Sequence, residues 1–490
     1  MPESTLAEHL AAFAAKSTQS PLPHEVTASV GRRVLDVLGL CVAALPLPTS
    51  RAALDHVAEQ GGAPQAHAIG LPTAIPAAWA AFANGVTAHS LDYDDTHLPS
   101  VLHPSAAVVP AALAAAEYAG ASGARTVAAI AVGLEITVRL GMAGYDERLG
   151  NSVFFEHGQH ATSICGAMGG AAAAALLLDL GEDGVRDALG VTASMASGLI
   201  EANRTGGTVK RVHCGWAAHS AVTAAQLVRR GFTGPPTVLE GRFGFFEAFL
   251  RGEAHAAAVT GGLGERWAVP GIFFKPYPAN HFTHTAVDAA ARLRERGVRP
   301  GEVTSATLGV PGAVIRTIGE PIETKRAPVT GYQAQFSGPY AVAVGLFGGG
   351  GLGAALGDYT DALARDPQRR ALMAKVDVVA DARCDAVFPH QFPAVLTVTT
   401  ADGREWTEEV LTNRGGPDRP LTDDELARKF LDNLATTLPA DVAAAVAAEV
   451  TDSVLALAAA HDPPVGGPPL ARLTPARSDT GSDTRSDFEE

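Results

Sequence analysis

The first 260 residues consist of apolar, alanine-rich segments that are separated by glycine and proline. Alanine carries the smallest penalty of any residue in a helix, whereas glycine and proline interrupt helices. The sequence therefore predicts successive helices, which include residues 25–45, 74–89, 105–119, 126–143 and 162–180. Aromatic residues make up only 6% of the chain, and this favours helices that pack closely through small side chains.

The pattern changes after residue 302, where short β-branched runs replace the long apolar segments. These runs predict strands at residues 303–310, 376–380, 394–400 and 405–411, with a tight turn at 401–403. Helical patterning returns at Thr422, a predicted N-cap with Glu425 in the capping-box position, and it continues to about residue 460. The last thirty residues are rich in Pro, Gly, Ser and Asp, so they are predicted to be a disordered tail.

Charge and cysteine usage exclude several classes of protein. The net charge of −15 argues against a broad nucleic-acid surface, and a carboxylate substrate would need a local cluster of cations. The four cysteines lie far apart with no CxxC pair, which argues against a disulfide framework, a zinc ribbon or a clustered iron–sulfur site. The acidic, amphipathic N-terminus and the apolar runs shorter than about 18 residues favour a cytoplasmic protein without a membrane span.

Histidine and lysine mark the segments where chemistry is expected. Nine of the sixteen histidines fall in four short segments. Only six of the 37 basic residues are lysines, and two of these, Lys210 and Lys275, lie within a few positions of a histidine pair. In an arginine-rich chain, a lysine at such a position indicates a need for a compact, titratable ammonium group.

The first of these segments, HSLDYDDTHLPSVLHPS, carries three carboxylates and three histidines. On a helical turn, Asp92 and Thr96 would share one face because they are four residues apart. The segment favours a general acid/base cluster, since burial and neighbouring charges tune the pKa of such groups. Helix capping and a metal site are the alternative interpretations.

The segment around residues 204–213 combines Arg204, Lys210 and Arg211 with a Gly-Gly pair at the start of a predicted helix. Main-chain N–H groups and the helix dipole attract anions at such a position, so Arg204 and Arg211 are predicted to bind the substrate. A surface turn with solvated charges is the alternative.

Lys275 lies between Phe274 and Pro276, and a histidine pair follows it. Aromatic neighbours predict partial burial, where a lysine must meet an anion or lose its charge. The ammonium group is therefore predicted to hold a bound anion, with a structural lysine as the alternative.

Together these segments resemble the MmgE/PrpD family, which includes 2-methylcitrate dehydratases, cis-aconitate decarboxylases and an iminodisuccinate epimerase. The resemblance runs from about residue 84 to 346, and these stretches carry it: ANGVTAHSLDYDDTH, LHPSAAVVPAALAAAE, HGQHATSICGAMGGAAAAALLL, GTVKRVHCGWAAHSA, GFTGPPTVLEGRFGFFEAF, FKPYPANHFTHTAVDA and AQFSGPYAVAVGL. It implies a mainly α fold with a large all-helical domain from residues 1–269 and 412–461. A smaller α+β lid at 270–411 and the tail at 462–490 complete the expected organisation. A homodimer without metal or organic cofactor is also implied.

The resemblance also implies which residues act. It places catalytic residues at Asp92, Thr96, His103, His160, Lys210 and Lys275. Asp92 would orient a histidine, His103 or His160 would be the base, and the two lysines would stabilise the developing charge. A tyrosine of the decarboxylases falls near Ile315 in this chain, which counts against decarboxylation.

The expected activity is that of a hydro-lyase. It would dehydrate a small hydroxy di- or tricarboxylate, similar to 2-methylcitrate, by removing a proton α to a carboxylate without a cofactor. An isomerase, an epimerase or a decarboxylase acting on a related carboxylate is the alternative, and a catalytically silent relative is a third.

Overall fold

The computed structural model describes residues 4–202, 206–459 and 473–474. These residues form two compact units. The helical unit contains residues 4–90, 94–202, 206–272, 433–459 and 473–474, and the mixed unit contains residues 91–93 and 273–432. The predicted fold class is confirmed, because the chain is mainly α-helical with a small α+β part.

The helical unit is built from the following described elements: α1 Leu6–Ser17, α2 His24–Ala44, α3 Pro48–Glu59, α4 Ala77–Ala88, α5 Ser105–Ala119, α6 Gly123–Ala143, β1 Tyr145–Asp146, β2 Asn151–Ser152, α7 Val153–Glu156, α8 Ala161–Leu177, α9 Gly181–Ala193, α10 Lys210–Val228, α11 Phe245–Leu250, α12 Ala257–Thr260 and α22 Ala440–Ala459. Helices α4, α5, α6, α8 and α10 pack against one another at its centre, and α22 packs on α2.

Two central helix crossings are close enough to require glycine. A Cβ atom on Gly169 of α8 would lie 2.0 Å from Thr137 Oγ1 and 2.1 Å from the carbonyl oxygen of Gly133, both on α6. A Cβ atom on Gly215 of α10 would lie 2.6 Å from the carbonyl oxygen of Phe82 on α4. Glycine at these two positions therefore allows the backbones of neighbouring helices to come into direct contact.

Within the described ranges, α6 is the one unbroken helix that is long and apolar enough to cross a membrane by length and composition, and 89% of its apolar window is buried in the protein. The sequence predicts only apolar runs shorter than about 18 residues. α6 exceeds that length while carrying Glu135 and Arg139, whose side chains form a buried pair at 2.7 Å. Helices α2 and α3 pass the same test only together, across a bend of 97°.

The mixed unit contains these described elements: α13 His284–Glu295, β3 Val303–Val310, α14 Ile315–Ile318, α15 Ile322–Arg326, α16 Gly331–Ala334, α17 Gly338–Phe347, α18 Asp361–Ala364, α19 Pro367–Met373, β4 Val376–Ala380, α20 Ala382–Asp385, β5 Ala394–Thr400, β6 Glu405–Val410 and α21 Asp423–Leu434, whose last two residues belong to the helical unit.

Its sheet has the strand order β4-β3-β5-β6. β3 pairs with β4 in parallel, with Ala306 opposite Val376, and with β5 antiparallel, with Leu308 opposite Leu396. β5 and β6 form an antiparallel hairpin. Helix α13 packs on β5 and β6, and α17 packs on α13 and β4. The four strands coincide with the β-branched runs of the sequence.

The unit boundaries differ from those expected from the sequence. The helical unit was expected to resume at residue 412, but residues 412–432 belong to the mixed unit. The reason is a long-range contact within the mixed unit, because Phe274 N donates to the carbonyl oxygen of Gly415 and the Phe274 ring packs with Leu421 and Leu426. The predicted capping box at Thr422 and Glu425 is confirmed by both reciprocal hydrogen bonds.

Two residues of the predicted tail dock on the helical unit. Leu473 is fully buried, and Gly70 N donates a hydrogen bond to Thr474 Oγ1 at 3.1 Å. The expectation of a tail with nothing to bury is therefore wrong at these two positions, because Leu473 supplies an apolar anchor. The rest of 462–490 lies outside the described residues.

Candidate active site

The segment between α4 and α5 carries the acids and histidines of the first motif. Asp92, Asp94, Asp95 and Thr96 are each at most 6% exposed. The segment is not helical at Asp92, which has a φ of 52°, so Asp92 and Thr96 do not share a helix face. Asp92 belongs to the mixed unit and Thr96 to the helical unit. The helical spacing that the sequence suggested for this pair is therefore wrong.

Asp95 has a structural role. Its carboxylate accepts a hydrogen bond from Arg33 at 2.6 Å and further bonds from the amide and hydroxyl of Ser105. Ser105 is the first residue of α5, where a negative charge is favourable. The buried Arg33 also donates to the carbonyl oxygens of Val269 and Ile272. The capping alternative thus holds for Asp95. In the sequence, Arg33 is marked only as an arginine within an apolar predicted helix.

Four imidazoles lie together in the helical unit, and we call His89, His103, His160 and His213 the histidine cluster. The ring centroid of His89 lies 5.4 Å from that of His103 and 5.5 Å from that of His160. The centroids of His160 and His213 are 4.8 Å apart. His160 is the N-cap of α8 and His213 lies in the first turn of α10, so two helix N-termini position half of the cluster.

Asp94 orients one member of the cluster. Its buried carboxylate lies 2.7 Å from Nδ1 of His89 and 3.9 Å from Nδ1 of His103. The family resemblance implies that Asp92 orients a histidine, whereas the carboxylate at hydrogen-bond distance from His89 is that of Asp94. His89 and Asp94 belong to the first motif, and its spacing does not indicate that they pair.

His103 has a defined tautomer when it is neutral. Its Nδ1 donates to the carbonyl oxygen of Asp95 at 2.7 Å, with Thr96 Oγ1 3.4 Å away. The lone pair therefore lies on Nε2. The His103 side chain is 12% exposed, while that of His89 is fully buried. Of these two imidazoles, His103 is the more accessible proton acceptor.

His160 and His213 are held in the neutral form. Their Nδ1 atoms are 3.0 Å apart, so one must donate and the other accept. Burial, together with the charges of neighbouring histidines and Lys210, lowers the pKa of His160 well below its usual value. Burial, His89 and Lys210 lower the pKa of His213 to about 4. Both are therefore uncharged near neutral pH.

The cations of the second motif have different positions. Lys210 is the first residue of α10, and its charge acts on His160 and His213. Arg211 donates to Thr49 Oγ1 at 3.1 Å. Arg204 lies outside the described residues. Substrate binding by Arg204 and Arg211 stays a prediction.

A second cluster of ionisable side chains lies within the mixed unit and contains Asp92, Lys275 and His284. Lys275 is 1% exposed, and its Nζ donates to the carbonyl oxygen of Asp92 at 2.8 Å and lies 3.4 Å from Asp92 Oδ1. His284 Nε2 donates to the carbonyl oxygen of Ala279 at 3.1 Å. Burial, followed by the charge of Lys275, lowers the pKa of His284 to about 3. The predicted burial of Lys275 is confirmed, and its ammonium group is already engaged by Asp92.

Lys429 is a buried lysine that the sequence motifs do not reveal. It is 2% exposed, its Nζ donates to the carbonyl oxygen of Tyr93 at 3.2 Å, and it lies 3.8 Å from the Tyr93 ring centroid. The rarity of lysine, which drew attention to Lys210 and Lys275, applies to it equally. It was overlooked because no histidine pair lies near it in the sequence.

Among the residues that the structure describes, no group of three or more His, Cys, Asp or Glu side chains is arranged to hold a metal ion. Activity without a metal or organic cofactor stays a prediction. The arrangement in the helical unit combines neutral imidazoles, a carboxylate and a nearby ammonium charge, which is suited to proton transfer at carbon.

Two family models match the chain. The MmgE/PrpD N-terminal domain matches residues 8–257 and the MmgE/PrpD C-terminal domain matches residues 277–453. Cis-aconitate decarboxylase of Homo sapiens is 30% identical over 383 residues, which cover 75% of this chain and 74% of the human protein. A cis-aconitate decarboxylase-like protein of Aspergillus oryzae is 26% identical, with 88% and 90% covered. Mitochondrial 2-methylcitrate dehydratase of Yarrowia lipolytica is 28% identical over 176 residues, which cover 34% of this chain and 32% of that protein.

Proposed function

The chain belongs to the MmgE/PrpD family, and from that membership we propose that it is a lyase that acts on a small di- or tricarboxylate. Its first candidate reaction is dehydration of a hydroxy acid similar to 2-methylcitrate. The enzyme removes a proton from the carbon next to a carboxylate, and the β-hydroxyl leaves with the aid of an acid. Relatives named for decarboxylation and for dehydration support a lyase acting on carboxylates.

The observation that carries this proposal is the state of His103. Its Nδ1 donates to the carbonyl oxygen of Asp95, so the proton-accepting nitrogen of the neutral ring is Nε2. Of the two imidazoles near Asp94, His103 is also more exposed than His89. A neutral imidazole is the proton acceptor that a dehydration needs at neutral pH. The lowered pKa of His160 and of His213 keeps further positive charge away from it.

The lysines supply the electrostatic part of the proposed mechanism. Removal of the α-proton places negative charge on the substrate carboxylate, in an enediolate-like species. Fixed positive charges stabilise such a species more than they stabilise the ground state. Lys210 provides this charge beside His160 and His213, and in the mixed unit Lys275 acts together with Asp92. Arg204 and Arg211 stay candidates for binding the remaining carboxylates.

Decarboxylation is the second candidate, because the relatives that cover most of this chain are named for it. Loss of CO2 leaves a pair of electrons on carbon, and an imidazolium then donates a proton to that carbon. The same lysine charges would stabilise this carbanion. Ile315 is half-buried against the core of the mixed unit, and the family resemblance implies that a tyrosine of the decarboxylases falls near its position. This difference keeps dehydration as the first candidate.

The test is product analysis with purified full-length protein supplied with 2-methylcitrate or cis-aconitate. Dehydration of 2-methylcitrate produces an alkene that absorbs in the ultraviolet, without release of CO2. Decarboxylation of cis-aconitate releases CO2. His103→Gln should abolish the reaction that is found, because the amide can neither accept the proton in a dehydration nor donate one in a decarboxylation. The proposal would be overturned if neither compound reacted, or if His103→Gln kept full activity.

We propose further that the enzyme acts as a cytoplasmic homodimer and needs no metal. Dialysis against EDTA should therefore leave its rate unchanged.

A further inference from the structure

Three successive main-chain carbonyls in the mixed unit are each bound by a buried side chain. The carbonyl oxygen of Leu91 accepts from Gln335 Nε2 at 3.4 Å, that of Asp92 from Lys275 Nζ at 2.8 Å and that of Tyr93 from Lys429 Nζ at 3.2 Å. The three donors are 7%, 1% and 2% exposed. They come from three distant parts of the sequence, so the conformation of residues 91–93 is specified by tertiary contacts.

Lys429 contacts Tyr93 in two ways. Its ammonium group donates to the Tyr93 carbonyl and also lies 3.8 Å from the centre of the Tyr93 ring, where a cation is attracted by the ring face. The hydroxyl of Tyr93 in turn donates to the carbonyl oxygen of Pro276 at 3.1 Å. Pro276 is the residue directly after Lys275. Tyr93 is therefore fixed at its carbonyl, its ring and its hydroxyl.

Asp92 needs such support because its backbone lies in the left-handed region, with a φ of 52°. A residue with a Cβ atom adopts that region only when its surroundings over-determine it. The same conformation places Asp92 Oδ1 3.4 Å from the ammonium group of Lys275. If Tyr93 were released, both the φ of Asp92 and its distance from Lys275 would be free to change.

We infer that Lys429 is a positioning residue, which holds Tyr93 and thereby sets the pairing of Asp92 with Lys275. This inference rests on the proposed function in one respect, namely that Asp92 and Lys275 take part in the reaction. Its structural half, that Lys429 holds residues 91–93 in place, is independent of any substrate. A misplaced catalytic group lowers the rate strongly even when the substrate still binds.

A matched control is available in the same unit. Lys375 Nζ donates to the carbonyl oxygen of Val303 at 2.5 Å, and the residue is half-buried at the edge of the sheet. Lys375→Met thus removes a lysine–carbonyl bond of the same kind from the mixed unit without touching residues 91–93. Lys429→Met keeps the aliphatic length of the side chain and removes the ammonium group, whereas Lys429→Arg keeps a donor and a cation.

The experiment compares Lys429→Met, Lys429→Arg and Lys375→Met in the full chain. Hydrogen exchange is measured in the peptide that contains residues 91–93, and kcat and KM are measured on the substrate that the wild type turns over. Lys429→Met should speed exchange in that peptide and lower kcat by about 10- to 100-fold, with a smaller change in KM. Lys429→Arg should restore most of both. Lys375→Met should change neither.

A double variant separates positioning from a general loss of stability. Lys429→Met added to Lys275→Met should cost little further activity, because the pair that Lys429 positions is already lost. Multiplicative losses, or unchanged exchange at residues 91–93 in Lys429→Met, would overturn the inference. If the wild type acts on no carboxylate supplied, the proposed function fails, and the exchange data still decide whether Lys429 holds the segment. If Lys429→Met does not fold, Lys429→Gln, which keeps a neutral donor, takes its place in both measurements.

Discussion

At the scale of single residues, the three aspartates of the first motif are each compensated in a different way. Asp95 is bound by Arg33, Asp94 lies against His89, and Asp92 lies against Lys275. A buried carboxylate without such compensation would cost several kcal/mol. These three aspartates, which lie within four positions of one another, therefore have separate functions. The function of each one is indicated by the side chain that it contacts.

His284 should make the stability of the protein depend on pH. Burial lowers its pKa to about 3, whereas a histidine in the unfolded chain titrates near its usual value of 6.5. Between these values the unfolded state binds more protons, so this group lowers stability as the pH falls and restores it as the pH rises. Urea unfolding of His284→Asn at a series of pH values between 6.5 and 4 should give a flatter dependence than the wild type. His24→Asn, at an exposed histidine, should keep the wild-type dependence, and an equal slope in all three proteins would contradict the assignment.

The sequence identified most of these residues and few of their partners. The burial of Lys275 followed from its aromatic neighbours, and the acid/base character of residues 89–103 followed from their composition. The partners Arg33 and Lys429 lie 62 residues before Asp95 and 336 residues after Tyr93. Nothing local to a motif specifies such a partner, so the sequence could not separate the structural Asp95 from Asp94. For the same reason, the prediction that the ammonium group of Lys275 holds a bound anion did not include its contacts with Asp92.

At the scale of helices and strands, local patterns predicted well where an element is long. Helices predicted at 105–119 and 126–143 correspond to α5 Ser105–Ala119 and α6 Gly123–Ala143. The β-branched runs became β3 to β6, and the capping box of α21 formed. The predicted helical relation of Asp92 and Thr96 failed, because Asp92 has a φ of 52° and the buried Lys275 binds its carbonyl oxygen. One-turn helices such as α14 and α16 were also not predicted, since so few residues give no periodicity.

The crossing of α6 and α8 gives a test of why glycine is needed there. Alanine in place of an ordinary helical glycine stabilises a helix by about 1 kcal/mol. Gly169→Ala should do the opposite, because its Cβ would lie 2.0 Å from Thr137 Oγ1 and 2.1 Å from the carbonyl oxygen of Gly133. We expect a loss of about 1–3 kcal/mol in the free energy of unfolding, measured by urea titration. Gly271→Ala, whose Cβ would meet nothing within 4 Å, serves as the control. A neutral or stabilising Gly169→Ala would show that the two helices can move apart without cost.

At the scale of the whole chain, the division into units depends on contacts that no local pattern contains. Residues 91–93 lie within the sequence of the helical unit, yet they belong to the mixed unit because side chains from residues 275, 335 and 429 bind their carbonyls. Residues 412–432 join the same unit through Phe274 and Gly415. The family resemblance implies a first boundary between residues 269 and 270, and the observed boundary lies between Ile272 and Phe273. The resemblance does not show that residues 91–93 and 412–432 belong to the mixed unit.

Truncation tests whether the C-terminal anchor contributes to folding. Leu473 is fully buried in the helical unit and Thr474 accepts a hydrogen bond from Gly70 N. A chain that ends at residue 460 loses both contacts and exposes the apolar surface beneath Leu473. Burial of a leucine side chain contributes about 2 kcal/mol, so the truncated protein should unfold at lower urea concentration and lower temperature than the full chain. Leu473→Ala in the full-length protein should reproduce most of that loss, because it removes the anchor and leaves the length unchanged. Thr474→Val should have a smaller effect, because it removes a single partly buried hydrogen bond that contributes about 1 kcal/mol or less. If the truncated chain and Leu473→Ala both melt as the full chain does, Leu473 does not anchor this segment in solution, and the composition of the last thirty residues was the better guide.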